Sequence, residues 1–407
     1  MQRLMSAAGK CCLAAALGGM TLLAGGCGSA PSGHKGAGSA ASSLSPTGAC
    51  RSPASAAGTV TVPPLSAIEF VSGQQGWAVG AGRILATSDG GRVWLTRYRG
   101  AARLDQVDFV DAEHGWAVGT SGLLATTDGG GVWTALPEPC PVIRSVHFAT
   151  PSLGYAVAGG SDVRIDGGVP APVVAGRLLS TTDGGRSWQP VSGAPAMAQT
   201  VCFSSPVDGF LGTPGRIWRS TDGGRRWSLS FAEPAQPGYP HHEPGDTAVV
   251  ECAGRSAAWV LFLGFGAALG NAPYIAFATQ DARGWRAVLE ETYTESAIMP
   301  EVHAPAGPGS YPGPFSAISA DAAAFVGFDP SVGYGAAPLE MVAGGGAGRS
   351  TQGNVSGTTQ ASGVAFITTS RGWVVGTDQT VAGQYGSYVI EATTDGGLSW
   401  TRQYQTG

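Results

Sequence analysis

Acidic residues recurring at fixed intervals are the first candidates for chemistry in this chain. Asp89, Asp128, Asp183, Asp222 and Asp395 each precede a Trp by five residues (Trp94, Trp133, Trp188, Trp227 and Trp400), and Asp281 precedes Trp285 by four. A glycosidase needs two opposed carboxylates, and Glu and Asp residues stand in several long irregular stretches, but no spacing singles out a pair. His241-His242-Glu243 offers metal-ligand atoms, yet adjacent side chains rarely converge, so a solvated loop and no metal are expected. Asp162-x-Arg164-x-Asp166-Gly167 lacks the oxygen-rich alternation of a calcium loop and reads as a polar turn. No Cys has the His-paired setting of a nucleophile. No cofactor is expected.

The recurring acids explain themselves as folding devices. Thr126-Thr127-Asp128-Gly129-Gly130-Gly131-Val132-Trp133 has close copies at 87–94, 181–188, 220–227 and 393–400, and a copy one residue shorter at 279–285. Strand-like apolar residues flank each copy, which makes it a hairpin turn. The Asp carboxylate accepts backbone N–H groups just ahead of it. The glycines supply positive φ, and the Trp returns apolar surface to the sheet.

A second regularity counts the units. Phe70, Phe109, Phe148, Phe203, Cys252, Ile318 and Phe366 each precede a large apolar residue by seven positions: Trp77, Trp116, Tyr155, Phe210, Trp259, Phe325 and Trp373. Seven copies of one hairpin predict an all-β fold, a seven-bladed propeller of four-stranded antiparallel blades. The blades are placed at 64–98, 103–137, 142–192, 198–231, 247–290, 315–343 and 361–405. The sixth has no turn motif, and the seventh holds four strands of its own. Glu69, Asp108, His147 and Glu251 take the same place on four first strands, lining the central channel or facing solvent at its mouth.

The eight-residue motif is the Asp-box, and the sequence resembles the Asp-box (BNR) propellers of the sialidase-like superfamily. These include sialidases, xyloglucan-degrading enzymes, sortilin-type receptors and the photosystem II stability/assembly factor. It looks most similar to the last, because a Gly-Trp-Ala-Val-Gly strand at Gly76–Gly80 and Gly115–Gly119 precedes the box. The resemblance covers residues 60–407 and implies the fold; in these families the box lies away from the active site. The arginine-rich docking patch of the assembly factor has no convincing counterpart here. A sialidase would need three arginines on a carboxylate, a Tyr–Glu pair and an acid-base Asp. Its Arg-Ile-Pro motif is absent, Arg216-Ile217-Trp218 being a superficial match. Xyloglucan-degrading relatives use two propellers, and this chain has room for one.

The amino terminus reads as an export signal over 1–26. Arg3 and Lys10 precede an apolar run, Leu13 to Ala24, too short to span a bilayer. Ala24-Gly25-Gly26-Cys27 resembles a lipobox, with Ala24 where Leu is usual, so Cys27 is expected to carry lipid. Residues 27–58 are mostly Gly, Ala, Ser and Pro, a flexible tether with an end-to-end distance of about 30 Å; the propeller follows over 59–407. Loss of Arg3 and Lys10 takes the formal charge from −5 to −7, which disfavours nucleic acid as a partner. The processed chain keeps four further cysteines. Cys202 and Cys252 lie on neighbouring first strands with opposite side-chain parity, which predicts a bridge; elimination pairs Cys50 with Cys140.

Long irregular insertions fall between second and third strands and between blades, hence on one face of the disc. Loops carried by a regular scaffold are where recognition concentrates. Tyr239, His241, His242, Glu243, Tyr293, Glu295, His303 and Tyr311 are the candidate binding residues there. The expected protein is a lipoprotein of the bacterial envelope, exported and held by its lipid anchor on the outer face of the cytoplasmic membrane. It is expected to be a monomer and a non-catalytic interaction or assembly scaffold. Its partner would be an envelope protein or cell-wall polysaccharide; the alternative is a carbohydrate-binding propeller or a sialidase-like hydrolase.

Overall fold

A computed structural model describes residues 65–406, except 121, 140–141, 161–175, 235–245, 265–273, 291–303, 330–335, 345–350 and 380–385. The expected signal, the tether, Cys27, Cys50 and Cys140 lie outside the described residues. The described residues belong to one compact unit, Ala49–Gly407. They are almost wholly β, in twenty-six strands.

The strands form six antiparallel sheets arranged as a propeller, and within each sheet neighbours in sequence are neighbours in space. This corrects the expectation of seven separate four-stranded blades. Five sheets have four strands, and the first has six. The stretches 64–98 and 103–137 were expected to be separate blades. They are joined because strand Leu95–Phe109 runs through the boundary without a break. Its first half pairs with Gly76–Thr87 and its second with Gly115–Gly119. Arg99-Gly100-Ala101-Ala102-Arg103 contains no Pro to remove a ladder donor, whereas the next connection carries Pro137, Pro139 and Pro141, which cannot donate. The seven repeated hairpins thus occupy six sheets.

The inner hairpins share one register: Phe70 opposes Gly76, Phe109 opposes Gly115, Phe148 opposes Gly154, Phe203 opposes Gly209 and Phe366 opposes Gly372. The sheet at Phe315–Ser319, Ala322–Val326, Ala336–Val342 and Thr351–Ser356 completes itself with a strand inside 344–362, a stretch read from sequence as loop. Ring closure uses packing rather than a shared strand. The last sheet contributes four strands, and Ser362 Oγ donates to Leu65 O across the closing joint (2.7 Å). Buried clusters lie between adjacent sheets, Trp259, Phe315 and Phe325 sharing one and Phe70, Leu85 and Trp373 another, and one with Trp77, Phe109 and Leu124 lies within the first sheet.

Candidate functional site

The joints between units absorb the repeated aromatic residues. Phe109 lies flat on Trp77 of the preceding unit (centroids 3.5 Å, 8° between planes) and meets its own box residue Trp133 edge-on at 5.9 Å. Phe70, Phe148 and Phe203 repeat this, stacking on Trp373, Trp116 and Tyr155. Each such pair contributes about 0.5–1.5 kcal/mol beyond its buried area. The polar tip of the same aromatic reaches the next box. Trp77 Nε1 donates to Gly129 O, Trp116 Nε1 to Gly184 O and Tyr155 OH to Gly223 O, each at 3.0 Å. The stacked ring also explains the glycine opposite it. A Cβ on Gly115 would stand 2.3 Å from the Phe109 ring, and the other four Phe–Gly pairs are equally tight. Where Phe gives way to Cys252, the partner is Ala258.

A second belt joins the first strands of neighbouring units through Glu69, Asp108, His147 and Glu251. Each side chain crosses to the next unit. Phe109 N donates to Glu69 Oε2 (2.9 Å), Phe148 N to Asp108 Oδ2 (2.8 Å) and Ala317 N to Glu251 Oε2 (2.7 Å). His147 Nε2 bonds Phe203 O at 2.8 Å, with Nδ1 3.5 Å from Asp108. Cys202 occupies the equivalent position in the fourth unit and is joined covalently to Cys252; Phe366 N donates to Ser316 Oγ. Burial, then the charge of Asp108, raises Glu69 well above the usual carboxylate range. Burial pushes Glu251 up to about 7. For His147 burial acts downward, but the hydrogen bond and charge of Asp108, with Phe203 O and Glu251, outweigh it and raise the imidazole.

The box aspartates point into their own turns. Thr126 Oγ1 and Val132 N donate to Asp128 Oδ1 (2.8 and 2.9 Å), while Gly130 N donates to Thr126 Oγ1. Gly129 and Gly130 have φ of 70° and 88°. The same bonds recur around Asp89, Asp183, Asp222 and Asp395. Hydrogen bonds from Ser187 and Ser399 hold Asp183 and Asp395 down to about 2. In the short copy Arg283 N and Gly284 N both donate to Asp281 Oδ1 at 2.8 Å, and the left-handed position falls on Ala282. The box indoles finish locally, Trp188, Trp227 and Trp400 donating to the second box glycine of their own turn. Trp94 and Trp133 take the edge-on place against Phe70 and Phe109, and Trp285 against Phe210.

Seven candidate loop residues, Tyr239, His241, His242, Glu243, Tyr293, Glu295 and His303, lie outside the described residues. Tyr311 is half-buried; its backbone exchanges hydrogen bonds with Phe328 (3.0 and 3.1 Å). Two features of the same loops escaped the sequence. Glu233 and Asp246 are buried at the ends of 235–245, and burial, then the charge of Asp246, raises Glu233 to about 9. Their backbones converge on Gly215, Glu233 N donating to Gly215 O and Gly215 N to Asp246 O. Met197 sits in the left-handed region (φ 66°) and is 55% exposed. It forms a crest between hollows of about 410 and 480 Å³, the first walled by Arg216, Trp218 and Trp227, the second by Gly159, Arg177 and Pro190. Nothing in Gly193-Ala194-Pro195-Ala196-Met197 distinguishes it from an ordinary connection. Among the described residues no group of three or more His, Cys, Asp or Glu is placed to hold a metal ion.

Comparison with known proteins agrees with this geometry. Residues 59–139 match the family model described as photosynthesis system II assembly factor YCF48. No curated protein matches the chain. Among solved structures, YCF48 bound to D1 peptide is 16% identical, with 84% of this chain and 82% of that one covered and a TM-score of 0.40. An ancestral GH74 enzyme is 13% identical at a TM-score of 0.51, covering 84% of this chain but 46% of the enzyme. U3-55K is 7% identical at a TM-score of 0.51, covering 77% and 88%. At these identities the structural likeness concerns the fold. The chain is a β-propeller with repeated Asp-box turns, and its residues 59–139 are similar to the family model described as photosynthesis system II assembly factor YCF48.

Proposed function

We propose that the protein is a non-catalytic interaction scaffold that holds an envelope protein on its long-loop face while Cys27 anchors it by lipid to the outer face of the cytoplasmic membrane. The observation that carries this reading is the use to which the repeated acids are put. Asp89, Asp128, Asp183, Asp222, Asp281 and Asp395 brace their own turns, and Glu69, Asp108 and Glu251 bond the next unit's backbone. The repeats build a rigid ring that carries the irregular face, where the Met197 crest stands between two hollows. The match of 59–139 to a family of assembly factors supports the same role.

The test is cross-linking in cells that make the full chain, followed by purification and mass spectrometry. One or two envelope proteins joined through the long-loop face, at Met197 or within 233–246 or 291–314, is the expected result. Retention on cell-wall polysaccharide without a protein partner would replace this reading with carbohydrate binding, and hydrolysis of that polysaccharide with a sialidase-like enzyme.

A further inference from the structure

The first two boxes enclose a groove that the ring does not use. At two other joints the residue three places after the box Trp reaches the next box and closes the gap. Gln403 Nε2 donates to Gly90 O (3.1 Å), and Ser230 Oγ donates to Ala282 O (2.8 Å). The counterpart at the first joint is Arg97, which is exposed and makes no hydrogen bond or ion pair with the described residues. The boxes themselves also differ. In the third and last, Ser187 and Ser399 donate their hydroxyls to Asp183 Oδ2 and Asp395 Oδ2. Val93 and Val132 hold that place in the first two, so no hydroxyl takes the second oxygen of Asp89 or Asp128. Arg186 and Arg225 fold back onto the carbonyls of Asp183 and Asp222, whereas Gly131 stands in the second box.

The result is an open groove of about 790 Å³ between the first and second boxes, with Trp77 among its lining. Val93 and Leu95, 54% and 48% exposed, line it from the first unit together with Asp89 and Arg97, and Glu113 and Asp128 line it from the second. Exposed aliphatic side chains beside three carboxylates and two arginines, Arg97 in the lining and Arg92 near Asp89, leave an excess of negative charge and favour a partner that brings both apolar surface and positive charge. We propose that this groove, on the face opposite the long loops, docks an extended segment of a partner protein in which a Lys or Arg is flanked by aliphatic residues. The cation meets Asp89, Glu113 and Asp128, and the aliphatic residues cover Val93 and Leu95. Arg97 gives the segment a direction, because it repels a second cation and receives a carboxylate. Backbone and threonine hydrogen bonds hold both box aspartates below the usual carboxylate range, so the groove keeps its charge in mildly acidic surroundings.

The probes are two labelled, amidated peptides, Leu-Lys-Leu-Ser-Glu and the same peptide with Glu in place of Lys, titrated by fluorescence anisotropy with the purified chain at low and high salt. The lysine peptide is expected to bind with salt-sensitive affinity and the glutamate peptide about tenfold more weakly, the equivalent of about 1.4 kcal/mol. Glu113→Gln and the pair Val93→Ala/Leu95→Ser replace exposed side chains without adding a hydroxyl to the box bonds. Each should weaken the lysine peptide at unchanged melting temperature. Equal binding of the two peptides, binding of neither at millimolar concentration, or binding indifferent to both variants would overturn the proposal.

Discussion

Replacing Gly115 by Ala tests the joint geometry at a single atom. The added Cβ would stand 2.3 Å from Phe109 Cε1 and 2.4 Å from Cζ, a separation that side chains do not adopt, so the ring must move. Phe109 has nowhere to go without losing its stack on Trp77 (3.5 Å) or its edge contact with Trp133 (5.9 Å). Overpacking costs about 1–3 kcal/mol, and one or two weakened aromatic pairs add about 0.5–1.5 kcal/mol each. The expected loss is about 1.5–6 kcal/mol, against a few tenths for Gly→Ala at an open strand position. Phe109→Ala alone should cost about 3–5 kcal/mol. Combining the two removes the clash, since Ala opposite a small residue is the arrangement at Cys252 and Ala258. The double variant should therefore cost no more than Phe109→Ala by itself. Urea denaturation of the four proteins, followed by tryptophan fluorescence and far-ultraviolet dichroism, gives the cycle. A Gly115→Ala loss below about 0.5 kcal/mol, or additive losses in the double variant, would refute the reasoning.

Four further outcomes follow from the same geometry. Cys202→Ser/Cys252→Ser removes the one covalent member of the belt and should destabilise the chain by about 2–4 kcal/mol; reduction of the unmutated protein should lower its melting temperature similarly. Stability should also fall at both ends of the pH range. Glu69, Glu251 and His147 have folded pKa values raised above their unfolded values, so their contribution is complete at low pH and is lost as pH rises through about 7, where Glu251 titrates. The box aspartates are lowered instead. Their contribution is present above the unfolded value of about 4 and is lost as pH falls towards 2, where Asp183 and Asp395 titrate. Melting temperature against pH should show a maximum between these limits, and a curve still rising above pH 8 would contradict the belt. Finally, Val132→Ser supplies the hydroxyl that Ser187 gives Asp183, so carbon-detected NMR titration should show the Asp128 pKa falling towards that of Asp183, while an unchanged value would deny the bond.

The repeat made the unit legible because one residue type did one job at each position. The seven-residue interval of the inner hairpin and the Asp-box turn are local consequences of spacing, and the bridge between Cys202 and Cys252 followed from side-chain parity. The number of sheets was not legible. It depends on whether the backbone ladder is interrupted between units, and Arg99 to Arg103 permits continuity where Pro137, Pro139 and Pro141 forbid it. The strand at Thr351–Ser356 was hidden by its glycine-rich surroundings and the lack of a box. The loop face was visible as a set of insertions, but the crest at Met197 and the Glu233–Asp246 pair come from tertiary placement. Their side chains carry no periodic signal, and only the fold brings Gly215 between Glu233 and Asp246.

The division of labour between ring and loops is the central claim, and capture of the cross-linked partner by the Asp128→Ala variant tests it most directly. The variant should melt at a lower temperature, because the Asp128 carboxylate no longer receives Thr126 Oγ1 and Val132 N. Held well below that temperature, it should capture the long-loop partner in proportion to the folded protein present. Loss of capture with the melting temperature unchanged would place Asp128 in the long-loop partner's own site and contradict the account.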